Sequence, residues 1–411
     1  MAGCAGKQPD AAPVTEDNKV ETPAAEVDTK RVAMRKYDPK GKILWEVKAD
    51  RASGELSPQG DYTEVDGVSA MLYDEGKPAF ELTAKKGNVS KSTGKLDLHG
   101  DVEGKSVDGR TSLGCDRIRW NNKDELLLAT GNVSAESAGM RLSGASEARV
   151  KFKNIREKMN TSTATALIFT SLIVQGPRIH YRDLGGNMDV GADTFKVTFD
   201  QGANLYRFVG TGSPFTAKWL KQGITITGRQ LTGAFAPVKD GSSTRYELQR
   251  GKFTGNITAK LDGDRGNMDI SGVDELNLDF VADSKRWKFG GSGGPFKVVL
   301  PDSGTMITGN QFEGFAAVVA GKPEWQSAVF TGGVTAVVTQ IDKKTGKSFT
   351  ITASCPRVDF NRAERSATLS GGARAVGNHP AMGPDGAEIT APTIILRFNE
   401  AMTSVEEVEM K

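Results

Sequence analysis

Cysteine is the residue type with the most chemistry to offer in this chain, and its three copies sit in unlike settings. Cys4 ends the tripeptide Ala2-Gly3-Cys4, the form in which a bacterial lipobox closes, with the thiol taking up acyl chains. The apolar leader that precedes such a cysteine does not stand before it, so we expect a leader trimmed away or a start assigned too late. Cys115 and Cys355 belong to no Cys-x-x-Cys pair, and His99, His180 and His379 are scattered, so no metal site is expected. None of these histidines accompanies a nucleophile elbow, which argues against Ser-His-Asp chemistry. Glycoside hydrolysis needs two carboxylates facing one another across a bond, whereas Asp and Glu here fall on the wet faces of strands or in turns. Neither catalysis nor a cofactor is implied.

The elements that would position a site are β-units. Trp120, Phe199, Phe280 and Phe360 recur at intervals of 79, 81 and 80 residues, and each is followed eleven positions later by a glycine: Gly131, Gly210, Gly291 and Gly371. A fixed period near 80 residues predicts about four similar units stacked into an elongated array with one shared apolar face. Period-two alternation supplies that face. Leu96 and Leu98 oppose Asp97, while Ile118 and Trp120 oppose Arg117 and Arg119. Val197 and Phe199 oppose Lys196 and Thr198, and Leu278 and Phe280 oppose Asn277 and Asp279. On the return strands the same phase holds Leu127 and Ala129, Tyr206 and Phe208, Trp287 and Phe289, and Ala367 and Leu369. The candidate lining of an apolar groove is therefore Leu96, Leu98, Ile118, Trp120, Leu127, Val197, Phe199, Tyr206, Phe208, Leu278, Phe280, Trp287 and Phe289.

Three local expectations follow. Cys115 and Cys355 each stand five residues before an aromatic and in the opposite phase, which puts both thiols on the outer face unless a bulge intervenes. At two or more strands per unit the pair lies roughly 29 Å apart, too far for a disulfide. The steps Gly87-Asn88, Gly131-Asn132, Gly255-Asn256, Gly332-Gly333 and Gly371-Gly372 read as tight hairpin turns. Helix is minor, a turn near residues 154–159 and a frayed end after Thr403.

With 53 basic and 51 acidic residues, no long-range field draws the chain to nucleic acid. Residues 1–30 read as a lipoprotein-type N-terminus followed by a disordered tether rich in Ala, Pro, Asp and Glu. The tether reaches roughly 28 Å. The longest apolar run, Ala164 to Val174, is shorter than the roughly 18 residues of a membrane-spanning helix and reads as a strand. The body divides into a unit at 31–152, a polar boundary segment at 153–163, an array at 164–400 and a tail at 401–411.

Within 31–152 five segments in order carry a resemblance. They are Tyr37 to Ala49 with Gly41, Trp45 and Val47; Val68-x-Ala70-x-Leu72-Tyr73; Leu82-x-Ala84 with Gly87-Asn88-Val89; Leu96-x-Leu98-x-Gly100-Asp101-Val102; and Leu127-x-Ala129-x-Gly131-Asn132-Val133. Together they resemble the LptC and OstA (LptA) families. The later part of the chain resembles them more loosely, through residues 253–257 and 330–334. The resemblance implies an all-β, antiparallel, folded-over sheet open along one side, a β-jellyroll or β-taco, that conducts lipopolysaccharide across the periplasm. It also implies partnership with an inner-membrane ABC exporter. Known single-domain members are much shorter, so the extra array is a departure.

The expected function is a non-enzymatic periplasmic scaffold that carries lipopolysaccharide or a related glycolipid in an apolar groove from the exporter towards the outer membrane. It would be held to a membrane by lipidated Cys4. Open sheet edges would recruit related β-jellyroll proteins, or a second copy, by strand pairing. The alternative is a structural or adhesive cell-surface β-solenoid with the same strands and a closed core.

Overall fold

The structure is a computed structural model that describes residues 26–55, 62–74, 76–109, 111–121, 124, 126–137, 140–153, 168–183, 188–240, 243–262, 267–281, 286–319, 322–341, 346–378, 382, 387–400, 402 and 404–411. Cys4, the tether up to residue 25 and most of the segment 153–163, including the helical turn expected near 154–159, lie outside the described residues, whereas residues 26–30, expected as disordered tether, form strand paired with residues 51–55.

One sheet contains all 23 strands. Its first half comprises β1 (Glu26–Tyr37), β2 (Ile43–Glu55), β3 (Tyr62–Asp74), β4 (Lys77–Ser90), β5 (Lys95–Ser106), β6 (Thr111–Asn121), β7 (Leu126–Ser137), β8 (Met140–Lys153), β9 (Ile168–Asp183), β10 (Met188–Asp200) and β11 (Leu205–Trp219). Its second half comprises β12 (Ile224–Asp240), β13 (Ser243–Leu261), β14 (Met268–Val281), β15 (Arg286–Ser292), β16 (Phe296–Leu300), β17 (Thr305–Gly309), β18 (Gln311–Val319), β19 (Lys322–Ile341), β20 (Ser348–Asn361), β21 (Ser366–Gly377), β22 (Ala387–Phe398) and β23 (Val405–Met410). Each strand pairs antiparallel with its successor up to β14. There β15 and β16 share one position beside β14, and β18 and β17 share the next, both pairing with β19. Single succession resumes from β19 to β23. Strand spacing of about 4.8 Å over this succession gives an object roughly 100 Å long.

The sheet is folded over along a line of bulges, and two kinds of strand make the line. In β6 the buried residues are Cys115 and then Ile118, so Asp116 and Arg117 are exposed in succession and the phase changes. β4 does this at Lys85-Lys86, and β20 at Pro356-Arg357. Their partners β5, β7 and β21 keep their phase by placing two consecutive residues at positive φ: Gly100 (82°) and Asp101 (50°), Gly131 (73°) and Asn132 (48°), Gly371 (86°) and Gly372 (88°); β13 has the same step at Gly255 (81°) and Asn256 (50°). The ladder is broken at these places, between Gly114/Arg117, Thr254/Ile257 and Ser354/Arg357 for example. An extra residue in one strand of a pair bends it and raises its twist. Repeated along the sheet, the bulges bring its two limbs face to face.

Several expectations need correction here. The Gly-Asn and Gly-Gly steps at 131, 255, 332 and 371 have the positive φ expected of them, but they lie mid-strand on the fold line and not in hairpin turns. Gly87-Asn88 lies within β4 without positive φ. Bulge and turn demand the same left-handed backbone, so composition alone does not separate them. The bulge also intervenes at both cysteines, which are buried rather than outward, and both thiols are free. Cys115 Sγ donates to the Arg117 carbonyl at 3.4 Å and Cys355 Sγ to that of Arg357 at 3.2 Å, so each thiol meets a carbonyl of its own bulge. After Thr403 the chain forms β23, a strand and not a frayed helix.

The core lies between the limbs. Its N-terminal cluster runs from Met34 to Ile179 and is mostly aliphatic, with Leu82, Leu96, Leu98 and Ile118 fully buried around Trp45. The second runs from Val190 to Val405 and is rich in rings, among them Phe215, Phe253, Phe296, Phe312 and Phe330. Half-buried Leu172 and Phe195 pack against both clusters, so the interior continues from β9 to β10. β8 and β9 pair from Met140↔Asp183 to Lys153↔Ile168, carrying the sheet past the undescribed residues between them.

Candidate functional site

The apolar interior and its rim form the candidate site, and the hairpins build it in layers. The recurrent aromatics flank turns on one rim, each opposite the residue seven positions on: Trp120↔Leu127, Phe199↔Tyr206, Phe280↔Trp287 and Phe360↔Ala367. Directly opposed antiparallel residues project to the same face and pack on one another. The ring centroids of Phe199 and Tyr206 are 4.8 Å apart, and those of Phe280 and Trp287 are 5.3 Å apart. One layer deeper come Ile118↔Ala129, Val197↔Phe208, Leu278↔Phe289 and Val358↔Leu369. The interval near 80 residues thus places the aromatics on β6, β10, β14 and β20, four strand positions apart.

The thirteen lining candidates divide by depth. Leu96, Leu98, Ile118, Leu127, Val197, Phe208 and Phe289 are buried within the fold. Trp120, Phe199, Tyr206, Leu278, Phe280 and Trp287 are half-buried near the turns. The deeper set packs the limbs together, while the shallower set borders the mouth between them. Further rings join this border. Phe235 pairs with Tyr206 and stacks on Phe208 at 4.5 Å, and Trp325 lies 4.6 Å from Phe289. Sequence reasoning missed Phe235 and Trp325 because no glycine eleven residues later marks them. Their signal was alternation alone, shared with many core positions.

The strongest ion pairs lie on the outer face. Arg117 forks onto Asp97, and Arg207 onto Asp200 at 2.7 Å, holding the Asp200 carboxyl below its ordinary range. Glu46, buried on the outer side of β2, accepts two hydrogen bonds from Arg35 at 2.9 and 2.7 Å, and its carboxyl is likewise held low. Burial pushes the Cys115 thiol up to about 11 and raises that of Cys355. A protonated thiol of this kind is inert. Among the described residues no group of His, Cys, Asp and Glu is arranged to hold a metal ion. Gly290-Gly291-Ser292-Gly293-Gly294 has the spacing of a nucleophile elbow, but it spans the break between β15 and β16 and leads into a strand rather than a helix. Among the described residues no helix is long and apolar enough to cross a membrane.

A single antiparallel meander, bulged along its middle and closed on an apolar interior, defines a folded-over sheet of the jellyroll kind. Residues 4–144 match the family described as lipopolysaccharide-assembly, LptC-related. This supports an LptC/OstA-type lipopolysaccharide-transport relationship for the N-terminal third, the stretch that carries the five segments noted in the sequence. No curated protein matches the chain.

Proposed function

We propose that this chain is a non-enzymatic envelope carrier, taking lipopolysaccharide or a related glycolipid from an inner-membrane ABC exporter towards the outer membrane. The observation that carries the reading is the half-buried apolar border of the mouth, from Trp120 through Phe199 and Tyr206 to Trp287. A lipid gains about 0.8 kcal/mol for each methylene it buries, so a border of this kind rewards acyl chains laid along it. The match over residues 4–144 supports the lipopolysaccharide assignment. Two units serve this role: residues 31–152 as the exporter-facing part and 164–400 as the extension, joined through 153–163. The interior changes from aliphatic to ring-rich one strand beyond that boundary, between Ile179 and Val190. Lipidated Cys4 tethers the whole to a membrane on the periplasmic side.

One observation favours the alternative of a structural solenoid. The interior beside the fold line is closed, with Phe215, Phe253 and Phe296 at 0% exposure. Mass spectrometry of lipids extracted from the protein purified from its host separates the two readings. The carrier reading predicts a stoichiometric glycolipid; a lipid-free protein would favour the solenoid.

A further inference from the structure

The N-terminal end of the mouth holds two polar groups that an apolar carrier leaves unused. Trp45 on β2 has no exposed surface, and its indole Nε1 has no hydrogen-bond partner among the described residues. A buried indole N–H ordinarily finds an acceptor, because an unmatched donor bears its full desolvation cost. Lys36 on the edge strand β1 is the register partner of Trp45. Opposed residues share a face, and the adjacent pair Met34 and Val47 is buried. Lys36 therefore sits on the inner face, an unusual place for a lysine. Its ammonium spans the mouth and donates to the carbonyls of Lys91 at 2.7 Å and Ser92 at 3.3 Å, in the turn between β4 and β5. Those contacts occupy two of its three donors.

We propose that Lys36 and Trp45 are the polar anchor of the N-terminal mouth, and that they bind an acyl lipid with a phosphate in its head. This rests on the carrier reading and adds to it where, and by what chemistry, the lipid head is held. The layering matches such an amphiphile from outside inwards. The Lys36 ammonium, half-buried at the rim, pairs with the phosphate. The Trp45 N–H, one layer deeper, donates to a carbonyl at the junction of head and chains. The chains then lie against the aliphatic interior of Leu82, Leu96 and Leu98, where no polar partner is needed.

The test uses the full chain with a phosphatidate bearing a fluorescent acyl chain, the matching diacylglycerol, and inorganic phosphate as competitor. Trp45→Phe keeps the ring and removes the donor; Lys36→Met keeps the stem and removes the charge. Each is expected to weaken phosphatidate binding about fivefold to tenfold, the scale of one buried hydrogen bond or charge-assisted contact. Diacylglycerol binding should fall with Trp45→Phe and be unmoved by Lys36→Met, and inorganic phosphate should not displace the lipid. Lipid-free Trp45→Phe should melt no lower than the parent, since it loses an unmatched donor. Should it fail to fold, Lys36→Met keeps the test open. Equal phosphatidate binding by the parent and both variants would overturn the anchor while leaving the carrier reading intact. Displacement by inorganic phosphate would overturn it in favour of a bare anion site. Failure of the parent to bind either lipid would overturn anchor and carrier together.

Discussion

Two glycines on the fold line have the same backbone conformation and different surroundings, and exchanging each for alanine isolates what the fold requires. Gly372 has φ 88° and nothing within 4 Å of a Cβ placed on it. Gly144 on β8 has φ 75°, and its Cβ would stand 2.1 Å from the Arg178 carbonyl oxygen of β9. An L-residue in the left-handed region costs about 1–2 kcal/mol, which is all that Gly372→Ala should lose. Gly144→Ala meets that cost and must also move the backbone of β9, an overpacking worth about 1–3 kcal/mol more. We expect a total of about 2–5 kcal/mol. Gly372→Asn, whose side chain tolerates this conformation, should cost less than Gly372→Ala. Urea unfolding gives the global values, and amide exchange around Arg178 and Ile179 gives the local one. Because an array can open in parts, the local value decides if the two disagree. Equal losses from Gly144→Ala and Gly372→Ala would refute the close approach of β8 and β9 at the fold line.

Other outcomes follow from the same geometry. Denatured, unreduced protein should show Cys115 and Cys355 as free thiols, and native protein at pH 8 should alkylate Cys115 about a hundredfold more slowly than an ordinary thiol, given its pKa of about 11. A Cys115–Cys355 disulfide would contradict the stacking. Because that pKa is raised on folding, its contribution to stability is complete below the unfolded value and is lost as pH rises from about 9 towards 11, which alkaline melting curves would record. Labelled palmitate should enter the native-host protein and be lost in Cys4→Ala; label in both, or in neither, would sink the lipid anchor. Strands β1 and β23 each pair on one side, so sedimentation should reveal end-to-end association at high concentration, with an exporter periplasmic domain as a second partner. A monomer at every concentration that also fails to bind the exporter domain would contradict it.

How much was legible in the sequence depended on how local the signal was. The pairs Phe199↔Tyr206 and Phe280↔Trp287 were legible because a short turn fixes the seven-residue offset between opposed positions. Their inward phase followed from alternation, which needs no knowledge of the rest of the chain. The fold line was hidden. A bulge changes the phase of β6 between Cys115 and Ile118 without a distinctive residue, and Asp116-Arg117 reads like any exposed pair. The glycines that complete the bulges announce positive φ but not where in a strand it falls. In β23, Val405 and Val408 are separated by two glutamates, so strict alternation fails across a register shift beside Phe398. The role of Lys36 was out of reach for a further reason. Its partners are backbone carbonyls 55 and 56 residues away, and only the folding of one limb over the other brings them close.

The central claim is that the apolar border of the mouth, and not the sheet surface in general, contacts lipid. Photo-crosslinking residues placed singly at Phe199, Tyr206, Trp287, Lys196 and Asn277, in protein expressed in its native host, test it most directly. Phe199, Tyr206 and Trp287 lie along the border, whereas exposed Lys196 and half-buried Asn277, whose amide donates to Glu275 at 3.0 Å, stand in the opposite phase. The account predicts glycolipid adducts at the first three and none at the last two. Equal capture at all five positions, or capture at Lys196 and Asn277 alone, would contradict it.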